Sequence, residues 1–139
     1  MTDIPLWRLH LLRANYLLIA VGLAVSFGPL MLAPDIAWAQ RKGDTAALLS
    51  GLACMCLLGL RYPLQLLPLL MFELVWKVIW LLAIGLPLWR ADAVTPALVE
   101  TTWACGVGVV LMLIAVPWGH VWQQYALKPA ERWRLRQTD

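Results

Sequence analysis

The stretch LLMFELVWKVIWLL, residues 69–82, places an acid and a base four positions apart in an otherwise apolar segment. Glu73 and Lys77 therefore share one face of a helix, in the acid-first order that pairs best along a helix axis. An ionised residue at the centre of a membrane helix costs roughly 2.5–3.5 kcal/mol to insert. The stretch predicts a membrane-spanning helix whose charged pair faces the interior of a helical bundle.

The composition supports a membrane protein. Of the 139 residues, 62% are hydrophobic and 14% are charged, whereas a soluble domain carries roughly 25% charged residues. The length fits one domain, residues 1–139, with no room for a separate soluble module. Because of this composition, we expect the lipid bilayer to surround the protein. Because no basic stripe is interleaved with aromatic residues, we expect no nucleic-acid partner.

Four apolar runs predict four transmembrane helices, at about residues 10–33, 45–61, 64–88 and 96–118. Asp44 is a candidate N-cap for the second helix, and Thr95 followed by Pro96 is typical of a helix start. Residues 119–139 form a short, basic, amphipathic tail. The predicted fold class is all-α: a polytopic membrane protein with four transmembrane helices in an antiparallel bundle.

The distribution of positive charge predicts the orientation. With four spans, both termini lie on one side of the membrane. The bases on the side of the termini are Arg8, Arg13, Arg61, Lys128, Arg132, Arg134 and Arg136, and those on the opposite side are Arg41, Lys42 and Arg90. The positive-inside rule then places both termini in the cytoplasm. Ala37-Trp38-Ala39 also resembles a signal-peptide cleavage site, but the preceding run is longer than a usual signal core, so an uncleaved first span is preferred.

Tryptophans and small residues add information about packing. Most of the nine tryptophans fall at predicted span ends, as is usual for membrane interfaces. Trp76, Trp80 and Trp103 fall inside spans, which indicates either packing or a ligand surface. Small residues recur at helical spacing, including Gly22 with Ser26 and Ala104 with Gly108. Such pairs let helix backbones approach closely and favour a tight bundle or a homo-oligomer.

Glu73 and Lys77 form the candidate intramembrane polar site. We expect them on an inward-facing stripe of the third helix that comprises Tyr62, Leu66, Leu69, Glu73, Lys77 and Trp80. Possible contributors to the site are Arg61, Tyr62, Trp76, Trp80, Glu100, Thr101 and Trp103, and Arg13 and Asn15 are further polar side chains. Glu100 is also interpreted as a first-turn acid favoured by the helix dipole. Two interpretations stay open: a proton or cation site, and a structural pair that fixes the rotation of the helix.

The histidines and cysteines suggest little specific chemistry. His10 and His120 both fall on the predicted cytoplasmic side and could hold a haem iron axially, although an interfacial histidine is far commoner than a ligand. The cysteines, Cys54, Cys56 and Cys105, lie in apolar runs and lack metal or redox spacing, so they are interpreted as packing residues. No metal site and no catalytic residue is predicted, and haem or quinone remains a hypothetical cofactor.

Three blocks carry a resemblance to known sequences. They are GLRYPLQLLPLLMFELVWKVIWLLAIGLPLW (residues 59–89), VPWGHVWQQY (residues 116–125) and ERWR (residues 131–134). Together they resemble a group of small four-helix bacterial inner-membrane proteins of unknown function. The resemblance covers most of the chain and implies a fold and a location, the bacterial cytoplasmic membrane, without implying an activity.

Three functional classes follow from the sequence. The first is a non-catalytic accessory or scaffold subunit of a membrane complex or homo-oligomer, favoured because no nucleophile, metal or nucleotide motif is present. The second is an oligomeric transporter or channel for a proton, an ion or a small solute that uses Glu73 and Lys77. The third is a redox-associated protein that binds haem, quinone or lipid through the in-span tryptophans and the histidines.

Overall fold

The computed structural model describes residues 4–33 and 35–129, which form helices and short connections without a strand. The elements are α1 (Leu6–Leu32), α2 (Ile36–Arg61), α3 (Leu67–Trp80), a π-helical turn (Leu81–Gly85), α4 (Leu86–Arg90), α5 (Pro96–Ala115), α6 (Trp118–Val121) and a second π-helical turn (Trp122–Leu127). Because α3, the first π-helical turn and α4 are continuous, Leu67–Arg90 is one long helix.

Four helices are long and apolar enough to cross a membrane: Leu6–Leu32, Ile36–Arg61, Leu67–Arg90 and Pro96–Ala115. A helix of about 20 residues spans roughly 30 Å, the thickness of the hydrocarbon layer. The prediction of an all-helical chain with four membrane-length apolar helices is confirmed.

The start of α2 differs from the predicted one. The helix begins at Ile36, well before the predicted start at residue 45, and Asp35 is its N-cap because the Asp35 carboxylate accepts a hydrogen bond from the backbone N–H of Trp38 at 3.3 Å. Asp44 instead lies within the helix. Hydropathy marks only the apolar part of a helix, whereas the backbone hydrogen bonds continue through the polar residues before it.

The other long helices differ from the predictions at their ends. The first begins at Leu6 rather than at residue 10, the third covers Leu67–Arg90 rather than residues 64–88, and the fourth ends at Ala115. The fourth ends there because Pro117 follows: the residue before a proline avoids the helical region, and Val116 is extended.

One core connects the four long helices. Helix α1 packs along α2, α3 contacts α2 and α5, and α5 also contacts α1. The core lies towards the end of the molecule that contains the starts of α1 and α3 and the end of α5. Its main members are Leu12, Tyr16, Ala20, Leu52, Cys56, Leu67, Leu70, Met112, Ala115 and Val116.

Two side chains of α1 bind the end of α2 and the turn that follows it. The Tyr16 hydroxyl, which is fully buried, donates to the carbonyl oxygen of Pro63 at 3.0 Å, and the Arg13 Nε donates to the carbonyl oxygen of Leu60 at 3.1 Å. The last carbonyls of a helix have no partner within the helix. Arg13 therefore satisfies one of them, and the two bonds fix α1 against the turn that leads to α3.

Candidate functional site

The acid and the base of α3 contact each other inside the molecule. The Lys77 ammonium donates to Glu73 Oε2, forming an ion pair one helical turn apart. The Glu73 side chain is 1% exposed and the Lys77 side chain is 12% exposed. The pair is therefore covered mainly by protein, and its lysine is the member that reaches a surface.

Gly108 of α5 provides the space for the lysine. A Cβ atom placed on Gly108 would lie 2.8 Å from Lys77 Cε and 3.2 Å from Lys77 Cδ. Since real Cβ atoms do not approach carbon atoms that closely, a larger residue at position 108 would displace the lysine. The spacing of Ala104 and Gly108 predicts close approach of helix backbones, and Gly108 in addition accommodates a charged side chain.

Two polar atoms near the pair have no hydrogen-bond partner among the described residues. They are Glu73 Oε1 and Trp76 Nε1, and both are buried. The Trp76 ring centroid lies 4.4 Å from Lys77 Nζ, which adds a cation–π contact to the ion pair. A buried polar atom without a partner is uncommon, because losing water without gaining a hydrogen bond is unfavourable.

A cleft with a volume of about 490 Å³ lies beside the pair, between α1, α3 and α5. Both Glu73 and Lys77 line it, together with the polar residues Asn15 and Ser26, and the rest of its wall is apolar or glycine. Asn15 is itself buried and donates through Nδ2 to the carbonyl oxygen of Leu11 at 3.3 Å. The volume lies within the range of about 300–1,000 Å³ typical of small-molecule sites. We call it the charged cleft.

The inward stripe expected on the third helix differs from the observed one. The buried residues of α3 are Leu67, Leu70 and Glu73. Tyr62 is exposed in the turn before the helix. Trp80 is half-buried, and its ring would lie 3.2 Å from a Cβ atom at Gly85. The predicted stripe included Tyr62, which precedes the start of α3 at Leu67, and it combined steps of three and four residues, whereas the buried residues of α3 recur every three.

Most of the possible contributors lie outside the charged cleft. Arg61 ends α2 and stacks over the Tyr62 ring at 5.5 Å, in an exposed position. Glu100 is exposed on α5, beyond its first turn, and the Thr101 hydroxyl donates to the carbonyl oxygen of Ala97 at 2.9 Å. Of the proposed in-span tryptophans, Trp103 lines the cleft and is 69% exposed.

The histidines are also away from the cleft. His10 is exposed on α1, and His120 is half-buried on α6. In the described part of the chain, no three His, Cys, Asp or Glu side chains are grouped so that they could hold a metal ion. Cys56 and Cys105 are buried and Cys54 is exposed, all with free thiols. The predicted tail is described as far as residue 129, so its bases Arg132, Arg134 and Arg136 lie outside the described residues.

A second cleft of about 350 Å³ lies between α1 and α2. Its wall includes Ala24, Gly28, Ser50 and Cys54 and contains no charged residue. Small residues at helical spacing on α1 predict close packing, but small side chains also line this space between the two helices.

Sequence reasoning named the ion pair and Asn15 but missed the role of Gly108. The sequence offered only a pair of small residues, Ala104 and Gly108, at helical spacing in an apolar run, and it did not indicate which helix they would contact. Comparison of the chain with models of protein families, with curated proteins and with solved structures found no match.

Proposed function

We propose that the chain is a multi-pass protein of the bacterial inner membrane, with four spans in an antiparallel bundle and both termini in the cytoplasm. The long helices are joined by connections of a few residues, 33–35, 62–66 and 91–95, and connections this short favour antiparallel neighbours. The excess of bases on the side of the termini supports the orientation. The resemblance of residues 59–89 to small four-helix inner-membrane proteins supports the location.

Within that membrane, the protein acts as a non-catalytic accessory or scaffold subunit of a larger complex or a homo-oligomer. The observation that carries this proposal is the ion pair within one helix: Glu73 and Lys77 neutralise each other, and Gly108 of α5 lies directly against the lysine side chain. A pair of this kind fixes which face of α3 points inward. A fixed helix rotation suits a subunit that packs against other helices, and the paired charges leave no free charge for catalysis.

The subunit role is tested on the native membrane. The full-length chain is solubilised in a mild detergent, cross-linked with a short reagent and separated by native electrophoresis. We expect a defined species larger than one chain with bound detergent. Glu73→Gln should reduce the amount of that species together with the melting temperature, while Glu100→Gln, a change at an exposed acid, should alter neither. A monomer without partners would contradict the proposal.

A second candidate is an oligomeric transporter or channel for a proton, an ion or a small solute. The charged cleft favours it, because a space of about 490 Å³ reaches both members of the pair. Liposome flux separates the two functions. If Glu73→Gln abolishes a flux while the melting temperature is retained, the pair is a transport site; if only the melting temperature and the yield fall, it is a structural pair.

A further inference from the structure

The ion pair beside the charged cleft leaves hydrogen-bonding capacity unused. Glu73 Oε1 has no donor, and of the three N–H groups of the Lys77 ammonium, one is used by Glu73 Oε2 within the described residues. The pair therefore offers one free acceptor and free donors side by side. A hydroxyl group matches this combination, because it donates one hydrogen bond and accepts others.

The charge balance and the wall of the cleft favour a ligand that is uncharged and mostly apolar. The charges of Glu73 and Lys77 cancel, so a charged ligand would bring an uncompensated charge into a poorly hydrated space. The wall is otherwise apolar apart from Asn15 and Ser26. Along α1 these two residues are separated by about 16 Å at the helical rise, which is long enough for a chain-like molecule.

The cleft opens on the apolar outside of the molecule. Leu18 of α1 and Trp103 of α5 both line it, and they are 56% and 69% exposed. In a membrane these side chains meet acyl chains, so the entrance faces the bilayer rather than water. A ligand that reaches the ion pair by this route must be dissolved in the lipid.

We propose that the charged cleft binds a neutral, lipid-dissolved alcohol, of the isoprenyl-alcohol type, with its hydroxyl on the Glu73–Lys77 pair and its apolar chain along α1. The hydroxyl donates to the free carboxylate oxygen and accepts from the ammonium. Although Glu73 Oε1 is buried, rotation about the last torsion of a glutamate is only weakly restricted, so the free oxygen can turn towards the cleft. This binding function is independent of the subunit role proposed above.

The test uses the full-length protein in nanodiscs and two probes that differ in a single hydrogen-bond donor. A photoreactive farnesol is cross-linked to the protein in competition with either farnesol or farnesyl methyl ether. Because a hydrogen bond to a charged group is strong in a dry site, farnesol should compete at least about tenfold better than its ether. Equal competition by the two compounds would overturn the proposal.

Two glycine variants test the position of the site. Gly22 lines the charged cleft, and a Cβ atom placed on it would meet nothing within 4 Å. Gly22→Leu should therefore place its side chain in the cleft with no contact at its Cβ atom, and it should reduce saturable cross-linking at least about tenfold. Gly51→Leu is the matched control, since Gly51 also has open space around it but lines neither cleft. Equal labelling of Gly22→Leu and the original chain would contradict the assignment.

A double variant tests the role of the ion pair. Glu73→Leu together with Lys77→Met removes both charges without leaving one unpaired, so it should fold even where a single change does not. It should bind farnesol and the ether equally weakly. Retained discrimination by this variant would overturn the proposal. So would dissociation of an oligomer by Gly22→Leu combined with equal competition by the two probes, because the cleft would then hold a helix of a second copy.

Discussion

Glu73 and Lys77 stabilise each other in the interior of the protein, where either charge alone would be unfavourable. Glu73 is fully buried, and its only hydrogen-bond donor among the described residues is the Lys77 ammonium. Removing one member of a buried pair typically destabilises a protein by about 3–5 kcal/mol, whereas replacing both members with neutral residues costs far less. The energetic importance of the pair thus lies in the mutual dependence of its members.

A double-mutant cycle measures this dependence. Lys77→Met should lower the free energy of unfolding by about 3 kcal/mol, because it leaves the Glu73 carboxylate without a partner. Glu73→Gln should cost less, since its amide oxygen still accepts from the ammonium. Adding Glu73→Gln to Lys77→Met should recover at least about 1 kcal/mol. Unfolding in mixed detergent micelles provides the measurement, and strictly additive effects would show that the two side chains act separately.

The sequence predicted this pair because its geometry is local. Spacing within one helix determines whether Glu73 and Lys77 meet, and the apolar surroundings indicate that they must. The partners contributed by other helices could not be predicted in the same way. Gly108 faces Lys77 only because α5 packs on α3 at a particular height and rotation, and no spacing within a single helix specifies either quantity.

At the level of elements, the contact between α1 and α2 depends on one glycine. Gly59 of α2 lies against the ring of Tyr16, and a Cβ atom at position 59 would come within 2.5 Å of that ring. The ring cannot move aside easily, because it is fully buried and its hydroxyl is bonded to the Pro63 carbonyl. The close approach of the two helices at this level therefore requires glycine.

Replacing Gly59 by alanine should destabilise the protein by about 1–3 kcal/mol, the usual range for forcing extra volume into a packed core. Gly51→Ala, in the same helix and with nothing near its Cβ position, should be neutral or stabilising by up to about 1 kcal/mol, because alanine favours the helix more than glycine does. Thermal unfolding of the two variants in one detergent gives the comparison. Equal stabilities would mean that α1 and α2 do not pack closely at Tyr16.

Helix ends were harder to predict than helix existence, and α2 shows why. The apolar run from residue 45 indicated a span, but Gln40, Arg41 and Lys42 continue the same helix towards Asp35. At 26 residues, α2 is about 39 Å long, which exceeds the roughly 30 Å thickness of the hydrocarbon layer. Hydropathy reports the environment of a segment, whereas capping and backbone hydrogen bonds determine where a helix begins.

For the whole molecule, orientation depends on charges that flank the helices rather than on packing. In the proposed topology, residue 93 lies in the connection between α4 and α5 on the outer side, and residue 128 follows the last π-helical turn on the cytoplasmic side. Both positions are exposed. They are therefore suitable for labelling from one side of the membrane without a change in the core.

Ala93→Cys should react with a membrane-impermeant thiol reagent in intact spheroplasts, whereas Lys128→Cys should react only after lysis, because the proposed topology places that end in the cytoplasm. The unmodified chain controls for its own cysteines, which lie within the long helices. The reverse pattern would invert the orientation while keeping four spans. Labelling of both positions in intact spheroplasts would place residues 93 and 128 on the same side of the membrane. The chain would then cross the membrane an even number of times between them, and the four-span bundle would be wrong.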